Sequence, residues 1–166
     1  MDSIPVHALW LAQDDPKKNT AVLASKRGDL TLHKNVRSLP KRGVILEPLC
    51  GKVFGPEDHE LLTQRGGALV GLDCSWAHIE TSVESVMKRT RLQPRMLPLL
   101  LAANPVNWGK PGRLTTAEAL ATVLYLVGRR DQAADVLGAF RWGGRFFELN
   151  REPLDAYASA TSSQQL

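Results

Sequence analysis

Two short apolar runs, each followed by a helical pattern, constrain the fold of this chain more than any other feature. Residues 68–72 and 99–103 are continuously apolar, which is typical of strands buried on both faces. Apolar residues between 76 and 87 then recur at helical spacing, and residues 116–127 form a nearly all-apolar helix that ends at Gly128. This alternation predicts an α/β fold, with a parallel sheet covered by helices on both faces.

The first half of the chain predicts shorter elements of the same kinds. They are a strand over Val6–Leu11, a helix over Thr20–Lys26, strands over Leu30–His33 and Val44–Leu46, and a helix from Gly55 to Arg65. The double glycine Gly66-Gly67 then marks a boundary. We therefore predict a small N-terminal α/β domain, residues 1–66, and a second domain, residues 67–166. A further helix is expected over Asp131–Phe140, and the polar tail after Tyr157 is expected to fray.

Composition excludes several classes of protein. The 166 residues fit one domain with or without a small appendage, and 43% hydrophobic residues are enough for an ordinary core. No window is apolar enough for a membrane span, and the N-terminus lacks the basic start and the cleavage site of a signal peptide. Cys50 and Cys74 suit a reducing compartment, and the four histidines are too scattered for a zinc site. These features predict a cytoplasmic protein that binds neither membrane nor metal.

Positive charge is concentrated in two blocks of the sequence. Residues 16–52 contain nine Lys and Arg residues against only Asp29 and Glu47, and a second cluster lies between Lys88 and Arg95. Such blocks attract polyanions, of which nucleic acid is the most common, although a solvated basic face remains the alternative. The candidate RNA-binding residues are Lys17, Lys18, Lys26, Arg27, Lys34, Arg37, Lys41, Arg42, Lys88, Arg89 and Arg91.

Two loops are predicted to meet at the carboxyl edge of the sheet, where open parallel sheets bind ligands. One covers residues 71–76, and the other covers residues 104–112, which are rich in glycine and proline. The second loop leads into Thr115-Thr116-Ala117-Glu118, a capping-box pattern. The amide of Thr116 would then be an unpaired donor suited to a carboxylate or a phosphate. An ordinary rigid strand-to-helix connection would explain the same residues.

Asp73 and Trp76 in the first loop each allow two interpretations. Asp73 follows a buried strand, so its carboxylate either caps the next helix or takes part in chemistry. Trp76 either packs in the core or lines a pocket, where its ring can also face a cation. The loops together indicate a ligand with a carboxylate, an apolar part and a positive charge. They do not identify that ligand, because the chain has no Walker loop, no GxGxxG and no metal cluster.

Four segments of the chain read DDPKKNT (14–20), GLDCSWA (71–77), RMLPLLLAANPVNWGKPGRLTTAEALA (95–121) and FRWGGRFFELNREPLDAY (140–157). In combination they resemble the family of rRNA aminocarboxypropyltransferases. Asn19 stands where eukaryotic members often have cysteine, and Trp108 where tyrosine is common. The resemblance implies a SPOUT-like fold with a deep trefoil knot in the C-terminal half, in a protein that acts as a monomer.

The same resemblance implies an activity during ribosome biogenesis. The cofactor would be S-adenosylmethionine (SAM), and its 3-amino-3-carboxypropyl group would be transferred to N3 of a hypermodified pseudouridine in small-subunit rRNA. A SPOUT-type rRNA methyltransferase remains one alternative. A non-catalytic assembly factor that only holds rRNA remains another.

The resemblance implies a role for each position of this chain that matches a SAM-binding or catalytic position of the family. Trp76 and Ile79 would bury the SAM methyl group, so that the longer chain faces the RNA. Asp73 would act as the general base on the uridine nitrogen or would only orient the substrate. Trp76 and Asp73 are thus the candidate catalytic residues.

The remaining positions implied by the resemblance would hold the rest of SAM. Thr20, through its hydroxyl and amide, and the amide of Thr116 would bind the carboxylate of the amino-acid chain. The carbonyl of Leu72 would meet the ribose hydroxyls. The main chain at Leu97 and near Gly112 would meet the adenine edge.

Overall fold

The computed structural model describes residues 3–160, and within them the chain builds one five-stranded sheet. The strands are β1 (Val6–Trp10), β2 (Thr31–His33), β3 (Gly43–Leu46), β4 (Ala68–Asp73) and β5 (Gln93–Arg95). Their order across the sheet is β2-β1-β4-β3-β5, and every pairing is parallel. The predicted parallel α/β architecture is therefore confirmed.

Seven α-helices connect and cover these strands in the described part of the chain. They are α1 (Thr20–Lys26), α2 (His59–Thr63), α3 (Ile79–Met87), α4 (Thr116–Leu126), α5 (Arg130–Val136), α6 (Gly143–Leu149) and α7 (Arg151–Ser159). Short 3₁₀ turns lie at Val36–Ser38, Pro56–Asp58 and Trp76–His78. No helix within residues 3–160 has the length and apolar character needed to cross a membrane.

Strand β4 lies at the centre because it is apolar on both faces. Residues 68–71 are buried, and the strand pairs with β1 on one side and β3 on the other. One face packs against α1, α4 and the C-terminal helices, with Leu120 and Leu124 fully buried. The other face packs Val70 against Val86 of α3. Burying one such side chain stabilises the fold by about 1.5–3 kcal/mol.

Helix α4 lies unusually close to β4 at the carboxyl edge of the sheet. A Cβ atom placed on Gly71 would lie 2.8 Å from Cγ2 of Thr116, which is closer than real contacts of this kind. Glycine at this position therefore allows the first turn of α4 to rest on the backbone of β4. That contact brings Thr116 next to Asp73 at the end of the strand.

One predicted strand is wrong and one real strand is missing from the sequence predictions. Residues 99–103 do not join the sheet; Leu101 forms only an isolated antiparallel bridge with Pro111. The backbone of Leu101 bonds instead to the side-chain amide of Asn150, with its N–H donating at 2.8 Å and its carbonyl accepting at 2.9 Å. The edge strand β5, which pairs with β3, was not predicted because Gln93-Pro94-Arg95 has no apolar run.

The C-terminal helices also differ from the prediction. The helix expected over Asp131–Phe140 begins at Arg130 and ends at Val136. Helices α6 and α7 were not predicted, and α7 continues through Ser159, two residues into the tail that was expected to fray. The tail predicted to fray falls largely on residues 161–166, which lie outside the described residues. The sheet takes strands from both sides of the 66/67 boundary, so the two-domain division stays a prediction, as does the knot.

Candidate functional site

A cavity of about 550 Å³ opens at the carboxyl edge of the sheet, between the beginnings of α1 and α4. This volume lies within the range of small-molecule sites, roughly 300–1,000 Å³. Asp73 lines the cavity together with all seven positions predicted to bind SAM. Those seven are Thr20, Leu72, Trp76, Ile79, Leu97, Gly112 and Thr116.

The carboxylate of Asp73 is held from both sides inside this cavity. The Thr116 hydroxyl donates to Oδ1 at 3.0 Å, and the side-chain amide of Asn19 donates to Oδ2. The same Asn19 nitrogen also donates to Asp14, at 2.8 Å to Oδ2. Asn19 meanwhile caps α1, because its Oδ1 accepts from the amide of Val22 at 3.0 Å. Asp73 does not cap the following turn; Ser75 does, accepting from the amide of Ala77.

Burial raises the pKa of Asp73 above its ordinary value. The hydrogen bonds from Asn19 and Thr116 lower the pKa, but less than burial raises it, and the nearby charge of Asp14 raises it further. A carboxylate with a raised pKa is a better proton acceptor near neutral pH. The position of Asp73 therefore suits a general base as well as an orienting group.

Helices α1 and α4 point their N-termini at the same end of the cavity. The Thr20 hydroxyl accepts a hydrogen bond from the amide of Ala117 at 3.2 Å, which ties the two helix starts together. Within residues 3–160, the amides of Thr20 and Thr116 have no hydrogen-bond partner. Two free amides at helix N-termini form a site suited to a carboxylate.

Trp76 lines the cavity rather than the core. Its side chain is 47% exposed, and the guanidinium of Arg113 lies 5.2 Å from the ring centroid. Ile79 and Leu97 continue the apolar surface beside it. The apolar side of the cavity thus offers a broad aromatic face, one side of which a cation already contacts.

Cys74 follows Asp73 and also lines the cavity. Burial raises its pKa to about 11, with a further rise from the neighbouring charge of Asp73. At neutral pH the thiol therefore stays protonated, so Cys74 is a poor nucleophile. Within residues 3–160 no group of three His, Cys, Asp or Glu side chains is arranged to hold a metal ion.

The loop rich in glycine and proline is held by one buried carboxylate. Glu118 is fully buried and accepts hydrogen bonds from the amide of Ala103 at 2.7 Å and the side-chain amide of Asn104 at 2.8 Å. It also completes the predicted capping box by accepting from the amide of Thr115 at 2.9 Å. The predicted capping box is therefore confirmed. The Glu118 carboxylate caps α4 and also fixes both ends of the loop over residues 104–112.

The sequence did not indicate two residues that shape this site. Asn150 is fully buried and holds the irregular segment at Leu101, but it lies in a helical stretch with no distinguishing pattern. Asn19 was noted only for departing from the family pattern, whereas it links Asp14, Asp73 and the start of α1. The DDPKKNT string contained the signal for Asn19, because an Asn before a helix is a common cap.

The eleven candidate RNA-binding residues are all exposed, but the structure does not bring them onto one surface. Lys17, Lys18, Lys34 and Arg37 lie near the carboxyl edge of the sheet, with Lys18 lining the cavity. The other seven lie where helices end and strands begin. In a parallel sheet this is the amino edge, opposite the cavity. These residues are Lys26, Arg27, Lys41, Arg42, Lys88, Arg89 and Arg91.

Three residues of the two basic blocks form ion pairs within the described part of the chain. Arg27 pairs with Asp29 at 3.4 Å, and Lys88 pairs with Glu84 at 3.2 Å. Arg95, counted in the second basic cluster, is turned inward and forms a buried ion pair with Asp58 at 3.0 Å. It therefore supports the cavity wall instead of flanking it as a free charge.

Comparison with known proteins places the chain in a family. Residues 44–166 match the family described as "Ribosome biogenesis protein, C-terminal". The 16S rRNA aminocarboxypropyltransferase of Methanothermobacter thermautotrophicus is 41% identical over 152 residues, covering 92% of this chain and 88% of that protein. The enzyme of the same name from Methanosarcina acetivorans is 39% identical over 163 residues, covering 98% and 90%.

A solved structure agrees with these relatives. The SAM-dependent rRNA:acp-transferase Tsr3 from Vulcanisaeta distributa has a TM-score of 0.86 and 36% sequence identity, and the match covers 98% of this chain and 86% of that one. The resemblance predicted from the four segments is confirmed. This chain belongs to the family of 16S rRNA aminocarboxypropyltransferases.

Proposed function

We propose that this protein transfers the 3-amino-3-carboxypropyl group of SAM to small-subunit rRNA during ribosome biogenesis. One observation carries the proposal: the chain matches 16S rRNA aminocarboxypropyltransferases over nearly the whole length of both partners. The acceptor is N3 of a hypermodified pseudouridine. The cavity at the carboxyl edge of the sheet supports this function through its size and its two chemically different ends.

The residues of the cavity suit SAM as a ligand. SAM supplies a sulfonium centre with three carbons open to attack, and an enzyme selects the product by choosing which carbon faces the acceptor. The Thr20 hydroxyl and the free amides of Thr20 and Thr116 offer donors for the carboxylate of the amino-acid chain. The carbonyl of Leu72 and the main chain at Leu97 and Gly112 are available to the nucleoside.

Trp76 and Ile79 determine the choice of carbon in this proposal. They provide an apolar surface that would bury the methyl group and keep that carbon away from the acceptor. The aminocarboxypropyl chain would then be the arm presented to the RNA. The bond between the ring nitrogen and that chain would form as its bond to sulfur breaks, and 5′-methylthioadenosine would leave. A methyltransferase on a similar fold would need the opposite orientation.

Asp73 accepts the proton that leaves the uridine nitrogen. This nitrogen holds its proton at neutral pH and is a weak nucleophile until the proton is removed. The hydrogen bonds from Asn19 and Thr116 fix the orientation of the carboxylate while burial raises its pKa. Each carboxylate oxygen keeps a further lone pair that can receive the proton.

The wider properties of the molecule belong to the same proposal. The exposed lysines and arginines contact rRNA phosphates, which position the RNA without reading its sequence. The protein acts as a monomer in the cytoplasm. Its polypeptide forms a SPOUT-like trefoil knot in the C-terminal half, and residues 1–66 contribute most of the RNA-binding side chains.

Isotope position in the product tests the proposal directly. SAM labelled in the carboxyl carbon and SAM labelled in the methyl group are incubated in parallel with the protein and small-subunit rRNA that carries the hypermodified pseudouridine but lacks the aminocarboxypropyl group. We expect carboxyl label, and no methyl label, in the RNA. Methyl label alone would establish a methyltransferase instead, and neither label in any rRNA substrate would establish a non-catalytic binding factor.

A further inference from the structure

A second cavity is also lined by residues of the glycine- and proline-rich loop. Its volume is about 410 Å³, and the same loop lines both cavities, with Asn107 in the first and Trp108 in the second. The second cavity, here named the Trp108 cavity, is lined by Ala103, Pro105, Trp108, Arg141, Trp142 and Arg145. None of these residues belongs to the SAM site proposed above.

The lining combines an exposed tryptophan, a half-buried tryptophan and two arginines that have no acidic partner among residues 3–160. Trp108 is 51% exposed, and Arg141 and Arg145 are both exposed on the surface. Neither arginine forms an ion pair with any residue from 3 to 160. Trp142 stacks on Phe140 with ring centroids 4.9 Å apart and planes 17° apart, which fixes the orientation of its ring.

The loop that carries Trp108 is held in place although it has no regular secondary structure. Asn104 is buried, and its Oδ1 accepts from the amide of Asn107 at 3.0 Å. The amide of Gly109 donates to the carbonyl of Ala102 at 2.6 Å, immediately after the tryptophan. Gly109 has a φ of +73°, a conformation that favours glycine. Trp108 is therefore presented outward from a fixed backbone, and little ordering is needed on binding.

These features suit one ligand chemistry, an unpaired nucleobase attached to phosphate. Bases stack on exposed aromatic side chains, and arginine guanidiniums contact both phosphates and base planes. An acidic peptide would satisfy the charges but would gain little from an exposed indole. We propose that the Trp108 cavity binds a single-stranded rRNA base that flanks the acceptor nucleotide, with Trp108 as the stacking platform and Arg141 and Arg145 on adjacent phosphates. This inference rests on the proposed rRNA substrate.

Truncation of the exposed tryptophan tests the stacking contact. Trp108→Ala should weaken binding of a single-stranded small-subunit rRNA fragment by roughly 5- to 150-fold, the range measured for one base–aromatic stack. Trp108→Phe should restore most of the affinity, since a ring is retained. Val106→Ala is the matched control, because Val106 is 83% exposed in the same loop and lines neither cavity. SAM affinity should stay at the wild-type value in all three variants.

The arginines are tested through the salt dependence of RNA binding. Arg141→Gln combined with Arg145→Gln should reduce the slope of log affinity against log salt by about 1.4, or about 0.7 for each phosphate of a single strand that is no longer neutralised. An unchanged slope, or RNA affinity of Trp108→Ala equal to that of Val106→Ala, would overturn the inference. Binding of a Glu-rich peptide, but not of RNA, that depends on Trp108 would overturn it too.

The carboxyl-label assay separates failure of this inference from failure of the proposed function. If the wild-type protein transfers the label while Trp108→Ala transfers it equally well at limiting RNA, only the Trp108 cavity assignment is wrong. If the wild-type protein transfers no label, the proposed function itself fails. Slower transfer by Trp108→Ala at limiting RNA, recovered at saturating RNA, is the result expected of a base-binding subsite.

Discussion

The two ends of the cavity at the carboxyl edge of the sheet are built in different ways. The polar end consists of Asn19, Thr20, Asp73 and Thr116, all of which lie at the ends of regular helices or strands. The apolar wall around Trp76 is completed by residues 97–100 and 112–114, where the chain forms neither helix nor strand. Side chains therefore define the polar end directly, while the apolar wall depends on an irregular backbone that must be held from behind.

That support comes from buried polar groups that never reach the cavity. Glu118 and Asn150 are both fully buried, and their hydrogen bonds fix the backbone at residues 101–104 and 115. A ligand contacts only the surface that these groups hold in place. Substitutions in the two regions should therefore have different effects. Those at the polar end should mainly change the transfer rate, and those behind the apolar wall should mainly change the free energy of unfolding.

The largest effect is expected from removing the carboxylate behind the apolar wall. Glu118→Ala leaves the amides of Ala103 and Thr115 and the side chain of Asn104 without their acceptor in a buried site. Each buried donor without a partner costs about 1–3 kcal/mol, so the free energy of unfolding should fall by at least roughly 3 kcal/mol. Urea denaturation measures this change.

Two variants keep that result interpretable. Glu118→Gln retains one acceptor oxygen and should lose less stability, which gives a folded protein if the alanine variant does not fold. Glu148→Ala changes an exposed glutamate of α6 and should stay within about 0.5 kcal/mol of the wild type. Equal stabilities of the three variants would show that the loop is not held by Glu118.

The next largest effect is expected at the polar end. Asp73→Asn keeps the shape and a hydrogen-bond acceptor for Asn19 but removes the base, so the transfer rate should fall by about 10²–10⁴-fold. SAM affinity should change little. Asp15→Asn is the control, because Asp15 is exposed and does not line the cavity. Full activity of Asp73→Asn would reject the role as base and leave only orientation of the substrate.

The raised pKa of Asp73 also predicts how stability depends on pH. In the folded chain the carboxyl group binds its proton more readily than in the unfolded chain, whose pKa is close to 3.8. The folded state therefore binds more protons between 3.8 and the raised pKa, and Asp73 lowers the free energy of unfolding as pH rises through that window. Asp73→Asn should be more stable than wild type at neutral pH.

The extra stability of Asp73→Asn over wild type should shrink as the pH falls through the raised pKa of Asp73. It should disappear below pH 3.8, where the wild-type carboxyl group is neutral in both the folded and the unfolded state. Thermal unfolding of both proteins across this pH range measures the difference. The transfer rate of the wild type should fall over the same range, because only the deprotonated carboxylate accepts a proton. A stability difference that does not change with pH would contradict the raised pKa.

The smallest effect is expected at the exposed face of the apolar wall. Trp76→Ala removes the aromatic surface beside Ile79, and SAM should bind about 10-fold more weakly, which corresponds to roughly 1.4 kcal/mol. Some methyl label should then enter the RNA, because the methyl group is no longer buried. Trp76→Phe retains a ring and should keep most of the affinity. Unchanged affinity together with an unchanged product would remove the role assigned to Trp76.

The elements that were predicted well are those whose signals are local. Helix α1 begins at Thr20 and ends at Lys26 as expected, since a cap and a following glycine mark its ends. Strand β4 was visible because burial on both faces leaves a continuous apolar run. The capping box at Thr115 and Glu118 follows from residue types at fixed spacing.

The features that were missed depend on contacts between distant parts of the chain. Residues 99–103 have the apolar run of a strand, but Asn150, far along the chain from Leu101, takes the backbone hydrogen bonds of that residue. Strand β5 is formed by three polar or restricted residues at the sheet edge, where pairing with β3 outweighs weak propensity. Trp76 follows the helical spacing of buried Val83 and Val86 but is half exposed, because it precedes the α-helix in a 3₁₀ turn.

Only one orientation of the Asn19 side-chain amide satisfies all of its hydrogen-bond partners. The site is therefore sensitive to deamidation of this residue. Its oxygen accepts from Val22, and its nitrogen donates to Asp14 and Asp73. Hydrolytic loss of that nitrogen as ammonia would put a third negative charge between two carboxylates. Deamidation at this one position would then silence the enzyme while leaving the core intact.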